Sequence, residues 1–258
     1  MDYQTIRVDI ADNVAIIALD RPQSRNALNA QMRAELLFAL KDVQDKARVL
    51  VVTGTGEAFC SGQDLGDSGS AANLDIERTL RDEYEPMLRA IADSRIPTIA
   101  AVNGAAAGAG ANLALAFDVV IASEQAVFLQ AFTRIGLMPD AGGTYWLPRQ
   151  IGQARAMGAM LFADTISARE AAQWGMIYEA VEADAFEARW RARAAQLAAG
   201  PTVAYQHIRE ALRASPENSL HAQLALEARL QGRCGQTRDF REGVLSFLEK
   251  RPPRFEGR

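Results

Sequence analysis

Short apolar runs punctuate the first half of the chain, at 14–19, 49–53, 98–102, 118–122 and 126–128, each bounded by turn residues or by a helical pattern. Between them, over 30–46 and 74–94, apolar positions recur every three or four residues, and 109–117 repeats that pattern on a smaller scale, so these stretches predict helices. Strands that alternate with helices and are apolar on both faces predict an α/β core around a buried sheet. After about residue 180 the strand signal ends. Helical patterns follow at 184–199, 202–214, 217–232 and 239–250, punctuated by Gly200-Pro201 and Ser215-Pro216. The residue before a proline leaves the helical region, and proline suits a helix's first turn. The expected organisation is a core over 1–195 followed by a helical module over 196–258. Leu220, Leu224, Leu226 and Leu230 give the third of these late helices an apolar face wider than one helix contact needs, which fits a subunit interface or packing back on the core.

Composition narrows the function without choosing it. At 258 residues, 49% hydrophobic, with 28 basic against 32 acidic residues and a net charge of -4, the chain has no overall field that would gather nucleic acid or an anionic membrane. Cys60 and Cys234 are too few for a disulfide framework and lack metal-ligand spacing, which points to a reducing cytoplasm. With His207 and His221 the only histidines, a zinc site or a Ser-His-Asp triad has little material, and no metal is expected. The first apolar run, six residues long, is too short for a signal core or a membrane span. The stretch 101–122 is apolar enough to raise a membrane helix, with Gly104 and Gly108 at GxxxG spacing. Asn103, Asn112 and Asp118 interrupt it and its glycines cluster, so a strand, turn, helix and second strand are expected there.

Two loops carry the candidate chemistry. The first, 54–65, follows a strand and runs Gly-Thr-Gly-Glu-Ala-Phe-Cys-Ser-Gly-Gln-Asp-Leu; the second, 103–112, follows another strand and opens a helix through Gly108-Ala109-Gly110. Glycine lets the backbone approach a ligand closely, and amides at a helix start are unpaired and favour negative charge. A dinucleotide fingerprint fails because Leu113 stands where a third glycine would be needed, and no Gly-Lys-Ser/Thr makes a phosphate loop. Tight packing of small residues would explain either loop alone.

Taken together, the loops and their surroundings resemble the enoyl-CoA hydratase/isomerase (crotonase) family nearly end to end. The matching blocks are Asp20-Arg21-Pro22 with Asn26-Ala27-Leu28, the segments 58–65 and 97–104, Gly136-Leu137-Met138-Pro139-Asp140-Ala141-Gly142-Gly143-Thr144, and Glu242-Gly243-Val244 with Lys250-Arg251-Pro252-Pro253. The resemblance implies a crotonase-like spiral of ββα units with a helical C-terminal module, and an acyl-CoA thioester as substrate. It implies no cofactor beyond the CoA of the substrate, a homotrimer or hexamer, and no nucleic-acid or membrane partner. It also implies that the amides of Gln63 and Ala109 form an oxyanion hole, with Ser61, Asp64, Leu65 and Gly108 around it. CoA would lie along Arg25, Ala27 and Leu28, with Phe247 and Lys250 near the nucleotide, often from a neighbouring subunit.

The reaction type turns on carboxylates. The two glutamates of family hydratases align with Asn112 and, without a gap, Phe132; neither can act as a general base. The resemblance implies that Asp140 stands at or near the place where family isomerases and some other members put their working carboxylate. Among Ile135, Leu137, Met138 and Trp146 it should be desolvated into a better base, although it could instead cap the helix that follows. The expected activity is isomerisation of a CoA thioester, with Asp140 as acid/base. The resemblance is greatest to the enzymes of phenylacetate catabolism that convert 1,2-epoxyphenylacetyl-CoA to an oxepin-CoA, then to those that shift 3-enoyl to 2-enoyl double bonds. A hydratase with a misplaced gap near Phe132 remains an alternative, as does a non-catalytic CoA- or RNA-binding relative. Cys60 is read as a packed residue, Asp64 as positioning its loop, and the basic run Arg189, Arg191 and Arg193 as an exposed helix face.

Overall fold

A computed structural model describes residues 2–66 and 75–258. The chain begins with a hairpin, β1 (Ile6–Ala11) and β2 (Val14–Leu19), closed by Asp12 and Asn13 with φ of 52° and 62°. Asx residues tolerate that left-handed pair, which matches the twist of the two strands. Then come α1 (Ala30–Asp42), β3 (Val49–Gly54), β4 (Ala58–Cys60), α2 (Ile76–Thr79), a π-helical turn over Leu80–Tyr84, and α3 (Glu85–Ala92). Residue 74, where the sequence pattern starts this helix, lies outside the described residues.

The middle of the chain forms β5 (Thr98–Val102), β6 (Ala105–Ala107), α4 (Ala109–Leu115), β7 (Val119–Ser123), β8 (Val127–Leu129), α5 (Gly143–Phe162), β9 (Ile166–Ser167), α6 (Ala168–Gln173) and β10 (Glu179–Val181). The last part is helical: α7 (Phe186–Ala198), α8 (Thr202–Ala214), α9 (Leu220–Cys234) and α10 (Arg238–Leu248).

The large sheet orders β1-β2-β3-β5-β7-β10, parallel from β2 onward, and the small one β4-β6-β8-β9. Successive turns of chain give one long strand to the large sheet and one short strand to the small sheet, as β3 and β4, β5 and β6, and β7 and β8 do. This is the expected spiral of ββα units. The long strands are buried on both faces. Leu50 and Val52 of β3 face the main core, while Val49 and Val51 meet Ile99, Ile121 and the Phe186, Trp190, Ala194 and Ala198 face of α7. Double burial is why these strands read as continuous apolar runs rather than alternating ones.

The structure adds two details to the sequence reading. Residues 143–162, where the sequence offered only a helix start that Asp140 could cap, form the long helix α5, broken at Gly152 with φ 78°. The 195/196 boundary falls inside α7, which continues to Ala198; the chain turns only at Gly200-Pro201. Beyond that turn α8 is fastened to the core by Arg209, whose Nε donates to Asp118 (2.6 Å) and whose other nitrogens donate to the Ser94, Ile91 and Ala92 carbonyls. Asp118 also accepts from the Thr98 amide and hydroxyl and from Arg213.

Candidate active site

The pairing of the two short strands puts the two glycine loops together. Ala58 lies against Ala105 and Cys60 against Ala106 in parallel register, so the chain leaving β4 and the chain leaving β6 run side by side. Only glycine permits so close an approach. A Cβ on Gly62, where φ is 93°, would stand 2.9 Å from the Ala107 carbonyl oxygen, and one on Gly110 would stand 2.3 Å from that of Cys60.

Beside them runs the segment that follows the hairpin. Ser61 N donates to Arg25 O (3.0 Å), Leu28 N to Gly62 O (2.8 Å) and Asp64 N to Leu28 O (3.2 Å). This is an isolated parallel bridge between Leu28 and Gln63. In such a bridge one residue bonds to both neighbours of the other, so the amide of Gln63 itself points away from Leu28. Ala109 opens α4, where the first amides have no intrahelical acceptor. Neither Gln63 N nor Ala109 N donates to a backbone carbonyl among the described residues.

Both residues line one cavity of about 300 Å³, together with Ser61, Gly62, Leu65, Gly108, Phe132 and Asp140. Asp140 is the only carboxylate among its described lining residues. Its Oδ1 is buried without a hydrogen-bond partner, and burial pushes its pKa up to about 6, with a bond from its own amide acting the other way. The helix-cap alternative does not hold: α5 is capped by Gly142, without a side-chain bond. The Asp140 main chain is instead held by Asn112, whose Nδ2 donates to Asp140 O (2.8 Å) while its Oδ1 accepts from Gln130 (2.8 Å). Ala141, with φ 48°, then turns the chain through a left-handed conformation that costs a non-glycine residue energy, a feature that clusters at functional sites.

Asp140 also lines a second cavity of about 550 Å³, walled by Leu88, Tyr145 and Trp146. Ile76, Leu80, Tyr84 and Leu137 border both cavities. Three residues here were not picked out from the sequence: Tyr84, Arg33 and the side chain of Gln63. Gln63 Oε1 accepts from the Tyr84 hydroxyl (2.6 Å) and from Arg33 Nη1 (3.0 Å). Nothing in their local pattern marks them, because they come from a loop, α1 and the π turn.

The other sequence-predicted residues divide. Ser61, Leu65 and Gly108 reach the cavity. Arg25, Ala27, Leu28 and Asp64 lie along its supporting segment without lining it. Leu28 has a fully buried side chain, and Arg25 is exposed with no side-chain bond among the described residues. Asp64 pairs with Arg21 (2.8 Å) and accepts from Gly66 N, which fits positioning. Phe247 lines a separate cavity beside Val203, Phe240 and Phe255, and Lys250 lines neither. Burial pushes the Cys60 thiol up to about 12, which fits packing rather than attack. Of the basic run, Arg191 is exposed and pairs with Glu187 on its own helix, whereas Arg189 and Arg193 are half-buried, Arg189 pairing with Glu179 of β10 and Arg193 donating to Gln196 and the Tyr178 hydroxyl.

Residues 9–258 match the family model described as enoyl-CoA hydratase/isomerase. The chain is 63% identical over its whole length, and the whole length of the relative, to a probable enoyl-CoA hydratase of Rhodobacter capsulatus. It is 42% identical to the 1,2-epoxyphenylacetyl-CoA isomerase of Escherichia coli, over 96% of this chain and 97% of that one. Among solved structures, an enoyl-CoA hydratase of Bacillus anthracis superposes with a TM-score of 0.92 at 32% identity, covering 99% of this chain and 100% of that one.

Proposed function

The chain belongs to the enoyl-CoA hydratase/isomerase family, and on that footing we propose that it isomerises an acyl-CoA thioester through an enolate. In this reading the Gln63 and Ala109 amides receive the thioester oxygen. The Asp140 carboxylate removes an acidic proton from the acyl group and returns it to another carbon, so that a double bond moves or, in a ring-epoxide substrate, ring expansion begins. Two amides aimed at the developing oxyanion contribute about 10²–10³ each in rate. No cofactor is required, since CoA arrives with the substrate.

The observation that carries this reading is Asp140: the one carboxylate among the described lining residues, with one oxygen unpartnered, raised to about 6 in the cavity of the two amides. A carboxylate so raised is a stronger base, yet it is ionised at neutral pH. Phe132 lines the cavity and offers no group that could hold or activate a water. A hydratase is the second reading, favoured by the name of the 63% identical relative; in it Asp140 would activate water. We further propose that Arg25 meets the CoA phosphates, and that Phe247 and Lys250 reach the nucleotide from a neighbouring copy in a trimer or hexamer.

The test is a panel of 2-enoyl, 3-enoyl and ring-epoxide acyl-CoAs, with product identity and solvent deuterium uptake followed for the wild type and Asp140→Asn. Isomer products that take up deuterium and vanish in the variant support the proposal. Hydration of a 2-enoyl-CoA at an ordinary enzymatic rate would overturn it in favour of the hydratase, whether that hydration is lost in Asp140→Asn or survives it.

A further inference from the structure

The side-chain oxygen of Gln63 is held by two donors, although the chemistry above uses only the main chain of Gln63. Arg33 can only donate, so the oxygen of the Gln63 amide group must face it, and the Tyr84 hydroxyl, bonded to the same oxygen, must donate too. Arg33 is itself fixed. Its side chain is buried, it donates to Leu28 O (2.6 Å), it pairs with Glu83 (2.6 Å), and its guanidinium lies 5.3 Å from the centre of the Tyr84 ring. Glu83 and Tyr84 both belong to the π turn at Leu80–Tyr84. Such turns carry one more residue per hydrogen-bonded ring than an α-helix and often mark functional sites. Here the turn sends Leu80 and Tyr84 to the wall shared by both cavities.

We infer that Tyr84 and Arg33 are positioning residues: by clamping the Gln63 side chain they aim the Gln63 amide at the thioester oxygen and couple that aim to the wall touched by the acyl group. This rests on the oxyanion-hole reading above. The clamp joins three separate pieces of chain, the loop after β4, α1 and the π turn. An acyl group that presses on the Tyr84 ring therefore bears directly on the residue whose amide polarises the carbonyl. A misplacement of well under an ångström in such a donor is costly, because its catalytic value depends on pointing at the charge as it forms.

Tyr84→Phe removes one of the two bonds to the Gln63 side-chain oxygen and Gln63→Met removes both, each keeping size and leaving the backbone amide present. Binding of cinnamoyl-CoA, a conjugated thioester whose absorption moves to the red as its carbonyl is polarised, reads the donor alignment without turnover. The wild type is expected to shift the band, and each variant to lose about half of the shift, one of the two donors being misaimed. The double variant should lose no more than Gln63→Met alone, since that substitution already removes both bonds to the Gln63 side-chain oxygen. In turnover, kcat should fall about tenfold with KM changed less than about twofold. Gln63→Met retains the Tyr84 hydroxyl, so it tests the clamp even if Tyr84→Phe fails to fold. No band shift in the wild type would sink the oxyanion-hole reading itself. A wild-type shift that both variants preserve, losses that add in the double variant, or a loss confined to Tyr84→Phe would each overturn the clamp alone.

Discussion

Asp140 carries two expectations that share one cause. Its carboxylate is raised to about 6 by burial. If its ionised form is the base, kcat/KM should climb as pH passes about 6 and level off above, and this limb should be missing from the residual activity of Asp140→Asn; a pH-rate profile checks it. The same shift destabilises the folded state above that pH. A group whose folded pKa lies above its unfolded value leaves the unfolded chain holding fewer protons in between, so stability falls as pH rises from about 4 to about 6. Asp140→Asn should therefore be more stable than the wild type at pH 8, by at most about 3 kcal/mol, and equal to it at pH 4, by urea denaturation. At Gly62 the expectation is steric: Gly62→Ala pushes a methyl against the Ala107 carbonyl at a φ of 93°. It should lower kcat at least tenfold and cost about 1–3 kcal/mol in the same assay. At this scale the sequence was informative where chemistry is local. Asp140, Gln63 and Ala109 could be named from their motifs and do meet in one cavity. Asn112 was seen only as a missing base, because its hold on Asp140 O spans 28 residues. Tyr84 and Arg33 were passed over for the same reason, their meeting with Gln63 spanning 21 and 30 residues.

Elements were legible in proportion to how much of themselves they bury. The strand at Val14–Leu19 and the helix at Thr202–Ala214 stand where the pattern put them. β1 was overlooked because it is an edge strand with one face in water, so Arg7 and Asp9 break the apolar run that marks its neighbours. β4 and β6 are three residues each and sit inside glycine-rich stretches, where turn signals outweigh strand signals. Yet their pairing is what builds the site. The length of α5 was missed because Gly152 and Pro148 interrupt its pattern. The attachment of α8 lends itself to measurement. Arg209→Met would leave Asp118 with Arg213 and two Thr98 bonds but strip its shortest ion pair and three carbonyl contacts. Because Asp118 keeps those partners, the loss should cost about 1–3 kcal/mol, most of it from the carbonyls left without a donor, and loss of α8 protection in hydrogen exchange should accompany it.

Across the whole molecule, apolar side chains collect on the outside of the C-terminal helices. Leu220 is 76% exposed, Phe247 83% and Leu248 71%, whereas Leu226 and Leu230 turn inward. The wide face noticed in the sequence thus splits, one part packed on its own chain and one part left open. If the open part joins copies of the chain, sedimentation of the wild type should give a trimer or hexamer, and Phe247→Glu should lower the mass toward that of one chain. Within the described residues, no helix is long and apolar enough to cross a membrane. The Arg209 anchor has one more consequence, in time rather than in space. Its partners lie 91 residues back at Asp118 and 118 back at Ile91. A chain emerging from the ribosome can therefore wind its sheets and close the Asp140 cavity while Asp118 waits for the arginine that will lock the helical tail. Docking of that tail should be the late, separable phase of folding, because contacts between such distant residues close slowly.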